Sequence, residues 1–262
     1  MFIDNYYLVM ELNTITCMDA LAFLKQIPDN FVDLIVTDPP YNVSQKQNLK
    51  FDGRIIVKNF GDWDFGFDPK PILAELRRVL KPTGQIYVFC GTEQIPIYMQ
   101  EFIEKWFFRN LLVWCKTNPA PRLSKTNYLF ANEYIVYAIK EKGKPSLSTF
   151  NFSSQSTMHN TFITGSLQGK ERLRGKDGMA IHPTQKPLAI LKKLISVSSN
   201  LGDIVLDPFM GIGSTAVAAK QLGRMYIGCE INNKYVIISN KRINIEFNNG
   251  KYPSSCAKQE TI

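Results

Sequence analysis

The chain has 262 residues, 45% of them hydrophobic and 21% charged, a composition typical of a folded globular domain and not of a disordered chain. No apolar run is long enough to cross a bilayer and the N-terminus carries no basic leader, so we expect a cytoplasmic protein without a membrane partner. Five cysteines without a C-x-x-C pair, and only two histidines, favour neither a disulfide framework nor a metal site.

The positive charge is concentrated in the middle of the chain. Between Lys116 and Pro187 there are 11 basic and 4 acidic residues, a net +7 out of +8 for the whole chain. Such a stretch is typical of a surface that faces phosphates, but a solvated basic face without a partner has the same composition. Charge alone leaves both interpretations open.

Helical and β-branched patterns alternate along the first half of the chain. A helix over 20–26 stops at Pro28, and the run 31–37 (FVDLIVT) predicts a buried strand that ends at the stiff sequence Asp38-Pro39-Pro40. The polar stretch 45–68 predicts a long loop. The next predicted elements are a helix over 70–80, a strand over 85–90, a helix over 95–107 and a strand hairpin over 111–115 and 134–139.

The segment 141–180 differs from the rest, because it is rich in Ser, Thr, Asn and Gly and carries a basic cluster. We expect an insertion outside the core here, between two halves of one domain at 1–140 and 181–248, with a frayed tail at 249–262. The second half predicts a helix over 187–199, a strand over 203–206, a helix over 214–222, a strand over 225–229 and a helix over 235–246. Strands alternating with helices predict an α/β fold with a doubly wound, mostly parallel sheet.

The first candidate site is the turn from Asp207 to Ala216 (DPFMGIGSTA), which follows a strand and opens a helix. Gly211 and Gly213 would let the backbone approach a ligand, and Glu230, at the end of the next strand, is placed to accept hydrogen bonds from ribose hydroxyls. A nicotinamide or flavin dinucleotide would suit the same pattern, and some such turns are merely tight.

The second candidate site is Asp38-Pro39-Pro40-Tyr41, directly after a predicted strand. The two prolines stiffen the backbone and remove two N–H donors, which leaves carbonyl acceptors beside a carboxylate and an aromatic ring. This set suits a planar ring that bears an amino group. A rigid turn with a packed tyrosine is the alternative.

Together these motifs resemble the amino-methyltransferase family of DNA modification enzymes. Asp38–Tyr41 matches its (D/N/S)-P-P-Y motif, 209–213 (FMGIG) its F-x-G-x-G loop, and 182–187 (HPTQKP) its H-x-T-Q-K-P stretch. The catalytic motif precedes the cofactor loop, which is the β arrangement of the family. The resemblance implies a Rossmann-like methyltransferase fold, S-adenosylmethionine as cofactor, and segment 141–180 as the target-recognition region.

Residue roles follow from the resemblance by position. The catalytic set would be Asp38, Pro39, Pro40 and Tyr41. The cofactor set would be Asp19, Thr184, Lys186, Asp207, Phe209, Gly211, Gly213, Ser214 and Glu230. Asp19 has a helix N-cap as its alternative role, and Lys186 could instead face solvent.

The resemblance implies transfer of a methyl group to the exocyclic amine of a base that has left the duplex. Asp38 and the Pro39 carbonyl would accept its N–H groups. Adenine N6 is favoured over cytosine N4, because D-P-P-Y accompanies adenine more often in the family. No cysteine follows a proline, so the thiolate route to cytosine C5 is unsupported. A nicotinamide-dependent oxidoreductase remains a competing hypothesis of a different class.

Double-stranded DNA is the expected macromolecular partner. The residues expected to contact phosphates are Lys116, Arg122, Lys125, Lys170, Arg172, Arg174 and Lys176. A homodimer and a cognate restriction endonuclease are further partners that the family suggests and that this sequence leaves open.

Overall fold

The computed structural model describes residues 10–42, 48–51, 54–57, 66–119, 127–141, 147–167, 171–175 and 177–248. The strands are β1 (Thr14–Cys17), β2 (Val32–Thr37), β3 (Asn48–Phe51), β4 (Arg54–Val57), β5 (Leu80–Cys90), β6 (Phe107–Lys116), β7 (Asn132–Ile139), β8 (Thr161–Thr164), β9 (Ile204–Asp207) and β10 (Met225–Glu230). The helices are α1 (Ala20–Leu24), α2 (Pro69–Val79), α3 (Ile95–Lys105), α4 (Leu188–Ser198), α5 (Ser214–Gln221) and α6 (Asn233–Asn248).

Within the described residues, eight strands form one sheet in the order β1-β10-β9-β2-β5-β7-β6-β8. The first five are parallel, β7 runs antiparallel to both of its neighbours β5 and β6, and β8 is parallel to β6. Seven strands therefore share one direction and β7 opposes them. The predicted doubly wound, mostly parallel α/β fold is confirmed, and so is the hairpin of β6 and β7.

Three of the described helices cover each face of the sheet. Leu34 and Val36 of β2 belong to the core cluster that contains the apolar faces of α4, α5 and α6. Ile35, between them, points to the opposite cluster with α1, α2 and α3. Burial on both faces explains why β2 has a continuous apolar run, which is what made it recognisable in the sequence.

Four short strands were not predicted from the sequence. The stretch 45–68, expected to be a loop, contains the antiparallel hairpin of β3 and β4. The short edge strand β1 pairs with β10, and β8, inside the segment 141–180, extends the main sheet beside β6. These strands form by pairing with a neighbouring strand, so their own sequences give little indication of them.

The strand order places a crevice at the carboxyl ends of β2 and β9. These two strands are neighbours, yet the chain leaves β2 towards β5 on one side and leaves β9 towards β10 on the other. Loops that diverge in this way open a ligand-binding crevice at the carboxyl edge of a parallel sheet. Asp38 follows β2 and Asp207 ends β9, so both candidate motifs lie at this crevice. Across the described residues, no helix combines the length and the apolar character needed to span a bilayer.

Gly228 of β10 is expected to be essential for the packing of this edge. It lies opposite Asp207 in the β9–β10 register, and a Cβ atom at Gly228 would lie 2.3 Å from the Asp207 carbonyl oxygen and 2.4 Å from Met210 Cε. We predict that Gly228→Ala lowers the free energy of unfolding by about 3 kcal/mol, because the strand pair must separate to admit the methyl group. Urea denaturation measures the change.

Gly202→Ala is the control for this prediction. Gly202 has a φ of +81°, and a Cβ atom added there would meet no heavy atom within 4 Å. Only the backbone conformation is therefore penalised, by about 1 kcal/mol. Equal losses in the two variants would contradict the packing argument.

Candidate active site

One buried carboxylate connects the loops that follow β2 and β9. Asp207 is 3% exposed, and its Oδ1 accepts hydrogen bonds from the Thr37 hydroxyl (2.9 Å) and the backbone N–H of Phe209 (3.0 Å). Its Oδ2 accepts a 2.7 Å hydrogen bond from the Thr215 hydroxyl. Burial raises the pKa of Asp207 to about 6, against the effect of these three hydrogen bonds, which favour the ionised form. Asp207 therefore acts on the site through the loops that it holds in place.

The two glycines of the turn adopt left-handed conformations, with φ of +53° at Gly211 and +79° at Gly213. A Cβ atom at Gly211 would lie 3.2 Å from His182 Nε2, so the segment 182–187 packs closely over this turn. A Cβ atom at Gly213 would lie 3.0 Å from Ser239 Cβ on α6. Gly211 thus shapes the cavity wall, whereas Gly213 allows α5 and α6 to pack together.

Glu230, at the end of β10, faces the glycine turn. Its Oε2 accepts a 2.9 Å hydrogen bond from the Gly211 backbone N–H, and its Oε1 accepts a 2.8 Å hydrogen bond from that of Asn232. Burial raises its pKa. Each carboxylate oxygen keeps a further lone pair for a ligand hydroxyl.

The Asp38–Tyr41 loop is fixed from several directions. Pro39 and Pro40 are buried, and the Tyr41 hydroxyl donates a 2.7 Å hydrogen bond to Asp38 Oδ1. The side chain of Asn42, at a φ of +54°, exchanges two 2.9 Å hydrogen bonds with the backbone of Phe67. These contacts hold Asp38 at the edge of the crevice independently of any ligand.

Lys186 is the buried cation of the site, with 5% of its surface exposed. Its Nζ donates a 2.5 Å hydrogen bond to Asp38 Oδ2 and lies 3.3 Å from Glu133 Oε2. The other oxygen of Glu133 lies 2.5 Å from Lys116 Nζ. Lys116, Glu133, Lys186 and Asp38 therefore form a row of alternating charges, which is called the charge row below. The alternative in which Lys186 faces solvent is wrong.

The charges in this row stabilise one another. Burial alone would lower the pKa of Lys186, but the carboxylates of Asp38 and Glu133 together raise it. For Asp38, burial is the largest influence and raises the pKa, while Lys186 acts in the opposite direction. Burial would also raise the pKa of Glu133, but Lys186 and Lys116 outweigh it and lower that pKa.

The crevice encloses a cavity of about 390 Å³, a volume within the usual range for small-molecule sites. Among its lining residues, the predicted ones are Asp19, Asp38, Pro39, Pro40, Tyr41, Thr184, Phe209, Gly211 and Glu230. A smaller adjoining space of about 30 Å³ is lined by Lys186, Asp207 and Ser214 among others. Cofactor and catalytic candidates from distant parts of the chain thus share one cavity.

Two of these residues also have structural contacts. Asp19 is the N-cap of α1, where its Oδ1 accepts a 3.0 Å hydrogen bond from the Ala22 N–H, so it both caps the helix and lines the cavity. The Ser214 hydroxyl accepts a 2.9 Å hydrogen bond from Arg242.

Part of the basic segment lies next to the site. Gln185 donates a 2.8 Å hydrogen bond to the Glu171 carbonyl and accepts one of 3.1 Å from the Leu173 N–H. Arg172 donates a 2.9 Å hydrogen bond to the Pro183 carbonyl, and Arg174 pairs through its backbone with Ala180. Arg172 and Arg174 are therefore held beside the segment that carries Lys186. The other predicted contacts Arg122, Lys125, Lys170 and Lys176 lie outside the described residues.

Several residues of the site were not predicted from the sequence, above all Glu133, His182, Asn42 and Gln94. Burial lowers the pKa of His182 to about 4, so this ring is neutral near pH 7 as it lines the cavity. Gln94 donates a hydrogen bond to the Tyr41 carbonyl and accepts one of 3.0 Å from the Gly91 N–H. For Glu133 a signal existed, since an acid is the second residue of a strand that is otherwise largely apolar (NEYIVYAI).

Comparison with known proteins identifies the family. Residues 32–241 match the N6/N4 methyltransferase family, described as DNA methylase. The chain belongs to this DNA methylase family. It is 34% identical to the type II methyltransferase M.HinfI of Haemophilus influenzae, over 88% of this chain and 68% of the relative. It is 33% identical to the DNA adenine methyltransferase YhdJ of Escherichia coli K12, over 90% of this chain and 84% of the relative.

Solved structures support the same fold for this DNA methylase. The complex of M1.HpyAVI with SAM aligns over 87% of this chain and 98% of that chain, with 28% identity and a TM-score of 0.64. The cytosine-N4-specific PvuII DNA methyltransferase aligns over 90% of this chain and 93% of that chain, with 19% identity and a TM-score of 0.66. The Rossmann-like methyltransferase fold and the family resemblance expected from the sequence are both confirmed.

Titration of Asp207 is expected to make stability depend on pH. Its pKa is about 6 in the folded protein against 3.8 for an unperturbed aspartate, so unfolding releases a proton between these values. We predict that the free energy of unfolding falls by up to about 3 kcal/mol as the pH rises from about 4 to about 6, because the folded state must then bury the ionised carboxylate. Asp207→Asn removes this component.

Urea denaturation of both proteins across this pH range tests the prediction. The two proteins are compared by the slope of the free energy of unfolding against pH, because altered hydrogen bonds in the Asn variant shift this free energy equally at every pH. Parallel curves for the wild type and the Asn variant would show that Asp207 titrates normally.

Proposed function

We propose that this DNA methyltransferase transfers the methyl group of S-adenosylmethionine to the N6 amino group of an adenine in double-stranded DNA. The observation that carries the proposal is the shared cavity, in which Asp38–Tyr41 faces Gly211 and Glu230. One side has the acceptors that an aromatic amine needs, and the other has the glycine turn and the carboxylate that suit a nucleoside.

The residues that line the cavity have the chemistry that the cofactor requires. Glu230 is placed to accept hydrogen bonds from ribose hydroxyls, and Phe209 and Ile231 offer apolar surface to an adenine ring. Asp19 would accept from the exocyclic amine of that ring, and Thr184 and Lys186 would lie towards the carboxylate end. S-adenosylmethionine, when bound, supplies an electrophilic methyl group on a sulfonium sulfur.

Asp38 and the Pro39 carbonyl would activate the target amine. The amine is a poor nucleophile because its lone pair is delocalised into the ring, and two acceptors on its N–H groups localise that pair towards the methyl carbon. With the cofactor bound, these acceptors would leave the amine nitrogen ready to receive the methyl group, and the electron pair of the broken carbon–sulfur bond would stay on the sulfur. Asp38 would hold the amine by a hydrogen bond, so it would be the nearest acceptor for the proton released. Positioning and electrostatics supply most of the rate enhancement.

The target base must leave the helix to reach this cavity, and Tyr41 is placed to stack on it. The segment with Arg172 and Arg174 would bind the phosphates of the flanking duplex. The type II name of the Haemophilus relative supports a cognate restriction endonuclease as the biological counterpart. We also propose that the protein forms a homodimer and acts in the cytoplasm.

Adenine N6 is favoured over cytosine N4 by two observations. The catalytic motif begins with Asp38, and the chain is 33% identical to a protein named as a DNA adenine methyltransferase. The likeness to the cytosine-N4-specific enzyme, at 19% identity, concerns the fold alone. Membership in the DNA methylase family argues against the alternative that the chain is a nicotinamide-dependent oxidoreductase.

The first test is nucleoside mass spectrometry of DNA incubated with S-adenosylmethionine and the enzyme. We predict N6-methyladenine with the wild type and a loss of at least about 1,000-fold in turnover with Asp38→Ala, because the acceptor for the amine is gone. Affinity for S-adenosylhomocysteine, which lacks the positive sulfur, should change little when measured by calorimetry.

Asp29→Ala is the matched control, since Asp29 is an exposed carboxylate that pairs with Arg78 at the surface. It should retain wild-type turnover. N4-methylcytosine as the only product would overturn the base assignment, and turnover by a folded Asp38→Ala protein would overturn the role of Asp38.

Charge reversal at Arg172 and Arg174 tests the DNA surface. We predict that Arg172→Glu with Arg174→Glu weakens DNA binding and flattens its dependence on salt, by a slope of about 2 if each contacts one phosphate. Fluorescence anisotropy with labelled duplex at several salt concentrations measures both quantities. The control reverses the exposed Lys25 and Lys241, far from the basic segment in sequence. An unchanged slope in the arginine variant would show that DNA contacts a different surface of the protein.

A further inference from the structure

Glu133 is the one acidic member of the charge row that does not belong to either sequence motif. It is the second residue of β7, the strand antiparallel to its neighbours, and this direction brings the start of β7 to the carboxyl edge of the sheet beside Asp38. Its side chain is 17% exposed. A carboxylate buried to this extent destabilises the fold unless nearby cations compensate its charge. Lys116 and Lys186 are the two cations that do so for Glu133.

The geometry divides the Lys186 ammonium between two carboxylates. Nζ lies 2.5 Å from Asp38 Oδ2 and 3.3 Å from Glu133 Oε2, and it also lies 5.4 Å from the ring centroids of Tyr41 and Phe89. Lys116 balances Glu133 from the other side at 2.5 Å. The four charges of the row sum to zero.

This division matters for the acceptor that the reaction uses. Oδ1 of Asp38 already accepts from the Tyr41 hydroxyl, and Oδ2 accepts from Lys186. If the whole ammonium charge were directed at Asp38, its carboxylate would be a weaker acceptor for an incoming N–H group. A second carboxylate that attracts Lys186 weakens the interaction of the ammonium with Asp38. Asp38 therefore remains a strong acceptor for the target amine.

We propose that Glu133 is a positioning residue for methyl transfer: by sharing Lys186 with Asp38 it preserves the capacity of Asp38 to accept the target amine, and it keeps the charge row neutral beside the sulfonium cofactor. This inference rests on the proposed function, but it applies equally to an adenine or a cytosine amine.

Glu133→Gln tests both parts of the inference, because it keeps the shape of the side chain and leaves the row with a net charge of +1. Turnover at saturating DNA and cofactor should fall about 10- to 100-fold, the range expected when a charge-assisted hydrogen bond is impaired. The ratio of dissociation constants for S-adenosylmethionine and S-adenosylhomocysteine should rise about fivefold, because only the first carries a positive sulfur that the extra charge repels.

Three further variants separate the effect of sharing Lys186 between two carboxylates from the effect of the net charge of the row. Glu133→Asp keeps the charge, so the ratio of dissociation constants should stay at the wild-type value and part of the turnover should return. Glu133→Gln with Lys116→Gln restores neutrality without restoring sharing, so it should recover the ratio but not the turnover. Glu101→Gln, which removes the carboxylate of a buried glutamate paired with Lys105 on α3, is the control and should change neither.

The outcomes distinguish this inference from the proposed function. Turnover of Glu133→Gln within twofold of the wild type overturns the positioning role even if the wild type methylates adenine. If the wild type methylates no DNA base, the proposed function fails, and the ratio of dissociation constants, which needs no DNA, still decides: a fivefold rise supports the inference and an unchanged ratio overturns it. Thermal unfolding that changes while turnover and the ratio do not would show a merely structural role for Glu133.

Discussion

The site depends on the buried carboxylate of Asp207. Its hydrogen bonds join the Thr37 hydroxyl at the end of β2, the N–H of Phe209 in the glycine turn and the Thr215 hydroxyl on α5. These three partners belong to the elements that carry the Asp38–Tyr41 loop, the glycine turn and the helix behind it. A carboxylate fits here because it offers several acceptor sites in a small volume, and the energetic cost of burying it is expressed in its raised pKa.

Around this anchor, the two halves of the chain contribute different chemistry to one cavity. The first half supplies a stiff loop with acceptors, Asp38 and the Pro39 carbonyl, and the second supplies the glycine turn with Glu230. The segment 182–187 lies between them, since His182 packs on Gly211 while Lys186 reaches Asp38. Bound cofactor and target amine would therefore be brought together by contacts that exist before either ligand arrives, which is the condition for preorganised catalysis.

The charge row adds a second constraint, because buried charges must be compensated locally. Lys116 belongs to the basic stretch of the sequence, yet its ammonium is paired with Glu133 and lies 4.9 Å from the ring centroid of Trp114. A basic stretch thus has two uses in this protein. Some of its charge stabilises the site from within, while Arg172 and Arg174, hydrogen-bonded beside the same segment, are the residues proposed to bind DNA.

The sequence by itself determined the strands that are buried on both faces, the hairpin of β6 and β7, the family, and the two motifs, because apolar runs and stiff or glycine-rich turns are local properties. It did not reveal β1, β8 or the hairpin of β3 and β4, whose order depends on pairing with a neighbour. Nor did it show that Lys186 pairs with Asp38, or that Asp19 both caps a helix and lines the cavity. Only the tertiary structure decided these points, and Glu133 shows the reason most clearly: the position of a buried charge depends on which strands lie side by side, and residues 116, 133 and 186 meet only when β7 runs back along the sheet.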